Sequence, residues 1–149
     1  MSLQQSIESA LKDALRSGDE TRKTALRLVI AGIKNAKVEK RAELTDEEVQ
    51  SIVSKEVKSQ REAIADAQKA ARPALVAEAE NLIAAMETFL PKQLSRAEIA
   101  AEVQAVMAEI GASSPGDVGK VMRVLQPKLK GLADGKLISE VVKELLSGK

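Results

Sequence analysis

Apolar residues recur three and four positions apart along almost the whole chain, which is the repeat of an amphipathic α-helix. Segments with the strict alternation of a half-buried strand are not visible. Glycine and proline interrupt the helical repeat and divide the chain into helices. The pattern predicts an all-α protein, with an N-terminal helical domain that contains a long helical hairpin, followed by a C-terminal three-helix domain.

Four helices are predicted in the N-terminal part. Ser2 caps the first and Gly18 ends it, while Thr45 and Glu48 form a capping box before the third. Because Pro73 disfavours helical geometry at the residue before it, the third and fourth helices should meet there as an antiparallel hairpin. The four predicted segments are about 2–18, 19–40, 45–71 and 73–89.

A linker is predicted at residues 90–94, where Pro91 interrupts the repeat. It separates an N-terminal domain of residues 1–90 from a C-terminal domain of residues 95–149. Ser95 begins the first helix of the second domain in a capping box with Glu98, Ser114 caps the second and Asp134 caps the third. These three helices are expected at about 95–110, 115–125 and 134–146.

Composition excludes several classes of protein. The chain has no cysteine and no histidine, so disulfides and thiolate sites are ruled out and a reducing cytoplasm fits best. The N-terminus lacks the pattern of a secretion signal, and no stretch reaches the roughly 20 apolar residues of a membrane span. With 23 basic and 22 acidic residues the net charge is +1, so an electrostatic partner would have to be bound locally.

No catalytic residue, metal site or cofactor is predicted. The carboxylates stand at helix starts or beside basic residues, as Glu140 and Glu144 stand beside Lys136 and Lys143, which is typical of helix capping and solvated ion pairs. Residues 111–120 resemble a phosphate loop only superficially. A Walker A loop needs a different spacing of its glycine, lysine and Ser/Thr residues, and a KH loop belongs to a fold with a β-sheet, which this sequence does not predict. Ser113 and Ser114 are interpreted as helix caps and not as nucleophiles.

Two basic segments are candidate binding surfaces. Residues 111–136 carry five basic residues and two acidic ones, a local charge of +3, and such residues could neutralise phosphates or simply be solvated, with Gly119 permitting close helix packing. The five candidate RNA contacts are Lys120, Arg123, Lys128, Lys130 and Lys136. A secondary stripe on the second helix falls within an arc of roughly 140°. Its members are Arg22, Lys23, Arg27, Lys34, Lys37, Lys40 and Arg41.

Short segments over essentially the whole chain resemble the GatB/YqeY family. In the N-terminal part they are Ile33-Lys34-Asn35-Ala36, Glu39-Lys40-Arg41, Glu43-Leu-Thr-Asp-Glu-Glu-Val49 and Phe89-Leu-Pro-Lys-Gln-Leu94. In the C-terminal part they are Gly119-Lys-Val-Met122, Pro127-Lys128 and Ala133-Asp-Gly-Lys-Leu137. Their order and spacing make the likeness specific.

The resemblance implies a stand-alone YqeY-like protein whose C-terminal domain is similar to the tail of the aspartyl/glutamyl-tRNA amidotransferase B subunit. That tail is associated with holding tRNA during amidation, so the partner expected here is tRNA or a tRNA-amidating enzyme. The family label of carbon–nitrogen ligase with glutamine as amide donor describes the large enzyme, and no activity is predicted for this chain alone. Lys120, Lys128 and Lys136 lie at the matched positions, and Arg123 and Lys130 join them by proximity.

Two departures from the family pattern affect these expectations. Leu132 stands where an arginine is common, which removes one charge from the expected contact surface. Ala71 replaces a frequent glycine and is expected to lengthen the third helix.

The competing hypothesis is a protein-interaction module, in which the hairpin offers an apolar groove to a partner helix and no RNA is bound.

Overall fold

The computed structural model, which describes residues 1–147, confirms the all-α fold. This part of the chain contains seven α-helices, one short 3-10 helix and no strand. Helices α1 to α4 span Leu3–Ser17, Glu20–Lys40, Asp46–Lys69 and Pro73–Glu87. Helices α5 to α7 span Arg96–Ile110, Val118–Leu129 and Gly135–Leu146, and the 3-10 helix spans Pro115–Asp117. Contacts between residues divide the chain into two compact units, Met1–Pro91 and a second that begins at Lys92.

Local capping determines where three helices begin. In each capping box the hydroxyl of the cap accepts a hydrogen bond from the backbone N–H three residues later, and that residue's side chain accepts one from the cap's own N–H. The three pairs are Ser2 with Gln5, Thr45 with Glu48, and Ser95 with Glu98. Gly18 and Gly111 end α1 and α5 in the left-handed conformation, at φ 71° and 69°.

The core of the first unit forms around α2, which packs against α1, α3 and α4. Its apolar positions recur at the helical period, so they lie on one face. The largest side chains that are at most 2% exposed are Ile7, Leu26, Val29, Ile33, Val49, Val53 and Met86. This core of Ile, Leu, Val and Met side chains fixes the bundle without an aromatic residue at its centre.

Close approach of α2 and α3 depends on Gly32. A Cβ atom at Gly32 would lie 2.9 Å from Cγ2 of Ile52, closer than two carbon atoms can pack. At Gly119, by contrast, an added Cβ would meet no atom within 4 Å. Gly119 therefore does not serve close helix packing, and the glycine that does is one the sequence pattern did not single out.

The end of α3 corrects one prediction. The helix stops at Lys69 and not near Ala71, whose φ of 54° is left-handed, so the alanine does not lengthen the helix. The backbone N–H of Ala71 donates to Gln68 O at 3.1 Å, and that of Arg72 donates to Ala67 O at 2.9 Å. Because Pro73 requires a non-helical residue before it, the chain must reverse at this point, and Ala71 takes the strained conformation.

Ala71→Gly is expected to raise the free energy of unfolding by about 0.5 kcal/mol. A left-handed conformation costs a residue with a Cβ about 1–2 kcal/mol, and the greater freedom of glycine in the unfolded chain offsets part of that gain. Ala70→Gly is the matched control. Ala70 has φ −85°, so glycine relieves no strain there and only adds freedom to the unfolded chain, which lowers stability. Urea denaturation of both variants should show shifts of opposite sign, and a destabilised Ala71→Gly variant would contradict the strain.

The distal part of the hairpin, residues 58–81, extends past the first unit's core, and we call it the hairpin arm. The outermost core members are Val57 on α3 and Leu82 on α4. Within the arm only Ala67 and Ala79 are buried, and Leu75 is 45% exposed. Two shallow clefts of about 440 and 430 Å³ lie along the arm. The small alanines thus let α3 and α4 pack together with little apolar burial.

The second unit packs α5, α6 and α7 against one another. Its fully buried side chains are Ile99, Val103, Val106, Val121, Leu125 and Val142. The sequence prediction that α6 runs from Pro115 to Leu125 is wrong at both ends. The segment begins as the 3-10 helix, and α6 continues through Pro127 to Leu129, which is 3% exposed. Burial of Leu129 offsets the backbone hydrogen bond that Pro127 cannot donate.

No helix within residues 1–147 is both long enough and apolar enough to cross a membrane.

Candidate nucleic-acid interface

The outer face of α6 carries two of the five candidate cations. Val121, Leu125 and Leu129 are buried, so the opposite side of the helix faces solvent. Lys120 and Arg123 lie on that side, about 60° apart around the helix axis, and both are exposed. The helix therefore holds these two positive charges on one accessible face.

Two of the five candidate cations form weak ion pairs with acidic residues. Lys120 Nζ lies 3.8 Å from Asp117 Oδ1, and Lys128 Nζ, on the flank of α6, lies 4.0 Å from Glu109 Oε2. Their side chains are 75% and 52% exposed. Exposed pairs at such distances contribute little, so either lysine can exchange its carboxylate for a phosphate at low cost.

The other three candidate cations have no acidic partner in the described chain. Within residues 1–147, no carboxylate oxygen lies within ion-pair distance of the side-chain nitrogens of Arg123, Lys130 or Lys136. The sequence suggested that Glu140 and Glu144 pair with Lys136 and Lys143, and this prediction is wrong. Both carboxylates bind Arg96 of α5 instead, which leaves Lys136 exposed at the start of α7.

Residues 130–134 form the loop that joins α6 to α7. Lys130 begins this loop, and Lys136 follows it in the first turn of α7. Gly131 turns the backbone at φ 79°, and its carbonyl oxygen accepts a hydrogen bond of 2.9 Å from Gln93 Nε2. Leu94 N–H donates to the carbonyl of Leu132 at 2.8 Å. The segment before α5 thus holds this loop in place, a role that no sequence signal indicated.

A cleft of about 610 Å³ lies between the C-terminal half of α6 and the start of α7. We call it the α6–α7 cleft. Arg123 and Lys130 line it together with the polar Gln126 and with small or apolar residues that include Pro127, Ala133 and Gly135. Arg123 and Lys130 are seven residues apart in the sequence, and only the fold shows that they share a cleft.

The loop before α6 does not act as a phosphate loop. The backbone N–H groups of Ser113 and Ser114 both donate to Asp117 Oδ2, at 3.1 and 3.2 Å. These hydrogen bonds lower the pKa of the Asp117 carboxyl by stabilising its charged form. The protein's own carboxylate therefore occupies the donors that an anion would need. Asp117, and not the hydroxyl of Ser114 alone, closes this turn.

The secondary stripe on α2 is divided by the fold. Lys23, Lys37 and Lys40 form ion pairs of 2.7, 2.9 and 2.6 Å with Glu20, Glu43 and Glu48. The hydrogen bond from Lys40 is the largest cause of the lowered pKa of Glu48. Ion pairs inside the protein thus neutralise three of the stripe's seven positive charges.

The remaining four members of the stripe carry no ion pair within the described residues, but they differ in exposure and backbone conformation. Arg22 is half-buried and lines a small cleft with Asp19. Arg41 ends α2 in the left-handed conformation at φ 59°. Arg27 and Lys34 are exposed, and no ion pair engages them within the described residues. The stripe is thus a weaker candidate than the second unit.

Titratable groups do not gather elsewhere into a reaction centre. In residues 1–147, no three Asp or Glu side chains lie close enough together to hold a metal ion, and every buried residue is apolar. The carboxyls whose pKa is lowered, Glu48, Glu98 and Asp117, accept hydrogen bonds at helix starts. Capping hydrogen bonds are the largest cause of the lowered pKa at Glu98 and Asp117, whereas at Glu48 the hydrogen bond from Lys40 is larger.

Comparison with known proteins finds a match to one family. The family model described as Yqey-like protein covers residues 4–146. No curated protein matches the chain.

Proposed function

We propose, from the premise that this chain belongs to the family of Yqey-like proteins, that it is an accessory protein that binds tRNA through phosphate contacts of its second unit. The tRNA would be free or held by a tRNA-amidating enzyme. The proposal assigns no reaction to the chain. It extends to this protein the role that the similar tail domain implies.

The observation that carries the proposal is the set of three cations without carboxylate partners, Arg123, Lys130 and Lys136. They lie on consecutive elements of one unit, two of them at the α6–α7 cleft. Cations that no carboxylate engages are available to a polyanion, and here three of them are grouped within fourteen residues of one unit. Lys120 and Lys128 add two charges whose ion pairs are weak.

Phosphate contacts predict a particular dependence on salt. Each phosphate that a cation neutralises releases bound counterions, so the logarithm of the affinity falls with the logarithm of salt concentration by about 0.7–0.9 per contact. Base-specific readout would add little here, because the chain's single aromatic residue, Phe89, lies in the first unit. Affinity should therefore vary little among tRNAs.

Simultaneous Arg123→Ala, Lys130→Ala and Lys136→Ala substitution is expected to weaken tRNA binding by about 10- to 100-fold at low salt and to reduce the salt slope by about 2. The control with the same charge change is Lys12→Ala, Lys55→Ala and Lys69→Ala, at exposed positions of the first unit. Fluorescence anisotropy with labelled tRNA across a salt series measures both quantities.

The controls decide where the interface lies. Equal loss in both triple variants would mean that only net charge matters, and would contradict a defined interface. Loss confined to a third variant, Arg27→Ala, Lys34→Ala and Arg41→Ala, would assign RNA binding to the stripe on α2. Absence of tRNA binding by the unaltered protein would refute the proposal.

The hairpin arm supports a second candidate function, a protein-interaction module. Its exposed Leu75 and its two shallow clefts offer apolar surface to a partner helix. This function would require a partner protein that binds after nuclease treatment. The two functions would use different units of the chain.

A further inference from the structure

The α6–α7 cleft is positive and has no acidic lining. Arg123 and Lys130 line it, and no carboxylate does. The nearest acidic residue in the sequence, Asp134, caps α7 and accepts a hydrogen bond of 3.4 Å from the backbone N–H of Lys136. An anionic group in the cleft would therefore meet two unpaired cations and no like charge.

The rest of the cleft is mostly apolar and carries no charge. Pro127 and Ala133 supply accessible apolar surface, Gln126 adds one polar side chain, and Gly131 and Gly135 contribute no side chain. At Gly135 an added Cβ would meet no atom within 4 Å. The cleft therefore has an apolar wall beside its positive edge, and space above its glycines.

Size separates a nucleotide from a bare phosphate. The volume of about 610 Å³ lies in the range of pockets that hold small organic ligands, and a phosphate group would fill only a small part of it. A nucleotide combines an anion with a flat base whose faces are apolar. We propose that the α6–α7 cleft receives one unpaired nucleotide of the bound RNA, with its phosphate at Arg123 and Lys130 and its base against Pro127 and Ala133.

This inference rests on the proposed RNA-binding function and makes it more specific. The cleft has no aromatic ring, so the base packs on the Pro127 ring and on the small apolar side chain of Ala133. Such contacts accept any base. The cleft thus selects unpaired over paired nucleotides, because a base within a duplex cannot enter it.

A variant that fills the cleft without removing charge tests the inference. Gly135→Leu places a side chain in open space at the cleft wall. Gly119→Leu is the matched control, because Gly119 also begins a helix, has equal open space and does not line the cleft. Thermal unfolding followed by circular dichroism verifies that both variants fold.

Anisotropy titrations use labelled tRNA, an unstructured RNA of 12 nucleotides and the duplex of the same sequence. Gly135→Leu is expected to lower the affinity for tRNA and for the single strand about tenfold, with an unchanged salt slope, and to leave duplex binding unaltered. Gly119→Leu lies on the exposed face of α6 outside the cleft, so any change that it causes should be equal for the single strand and the duplex. If Gly135→Leu binds tRNA normally while the unaltered protein binds it, the cleft inference fails and the proposed function stands.

If the unaltered protein binds none of these RNAs, the proposed function fails, and this inference fails with it. A second measurement uses the unaltered protein alone, as amide chemical shifts recorded during titration with adenosine 5′-monophosphate. Shifts centred on Gly131 and Gly135 are expected, with Gly119 unaffected. If an acidic peptide moves these amides and the nucleotide does not, the cleft serves a protein partner and the nucleotide assignment is wrong.

Discussion

Leu125→Ala is expected to lower the free energy of unfolding of the second unit by about 3–4 kcal/mol. Leu125 is 0% exposed at the centre of α6, where it packs between α5 and α7. Its truncation loses apolar burial and leaves a cavity in a core whose neighbours are already well packed. Because α6 carries Arg123, the same change should also weaken tRNA binding at temperatures where the second unit unfolds.

Hydrogen exchange and urea denaturation measure this effect. Leu75→Ala makes the same chemical change at a side chain that is 45% exposed, and it should cost less than about 1 kcal/mol. The loss of amide protection in Leu125→Ala should concentrate in α5, α6 and α7. Equal costs for the two variants would show that Leu125 is not a core residue.

Gly32→Leu is expected to destabilise the first unit by about 3 kcal/mol. Its Cβ would lie 2.9 Å from Cγ2 of Ile52 and 3.6 Å from Oε1 of Glu56. Ile52 is β-branched and half-buried, so it cannot easily rotate away, and α2 and α3 would have to separate. The gain in helix propensity over glycine, about 1 kcal/mol at most, is smaller than this cost.

Gly119→Leu provides the comparison for Gly32→Leu. The same substitution at a position with no atom within 4 Å should leave stability unchanged or raise it slightly. The denaturant midpoint of Gly32→Leu should therefore fall well below that of the unaltered protein, while that of Gly119→Leu should stay the same or rise slightly. A Gly32→Leu variant as stable as Gly119→Leu would mean that α2 and α3 do not need the glycine.

Helix boundaries were predictable where their causes are local. The capping box of Thr45 and Glu48 and the left-handed end at Gly18 each involve residues within a few positions of each other. Such interactions can be recognised from the order of residue types alone. The all-α fold was accessible from the sequence because the helical repeat extends along most of the chain, and the family likeness because short segments match in order and spacing.

Two helix ends were predicted wrongly, for different reasons. α6 continues past Pro127 because Leu129 is buried against the second unit's core, which no local signal indicates. Ala71 adopts a left-handed conformation because Pro73 prevents the helix from continuing, although alanine ordinarily favours extending a helix. Distant packing overrode local propensity at the end of α6, and a nearby proline overrode it at the end of α3.

The sequence by itself determined which residues could carry the candidate site, since it contains the five cations between Lys120 and Lys136 and lacks histidine and cysteine. Only the tertiary structure decided which of those charges stay available. Arg96 of α5 forms ion pairs with Glu140 and Glu144, so these carboxylates do not pair with the lysines of α7. Glu109 lies beside Lys128. Charge type is a property of each residue, whereas pairing and enclosure depend on distances that arise when separate helices pack together.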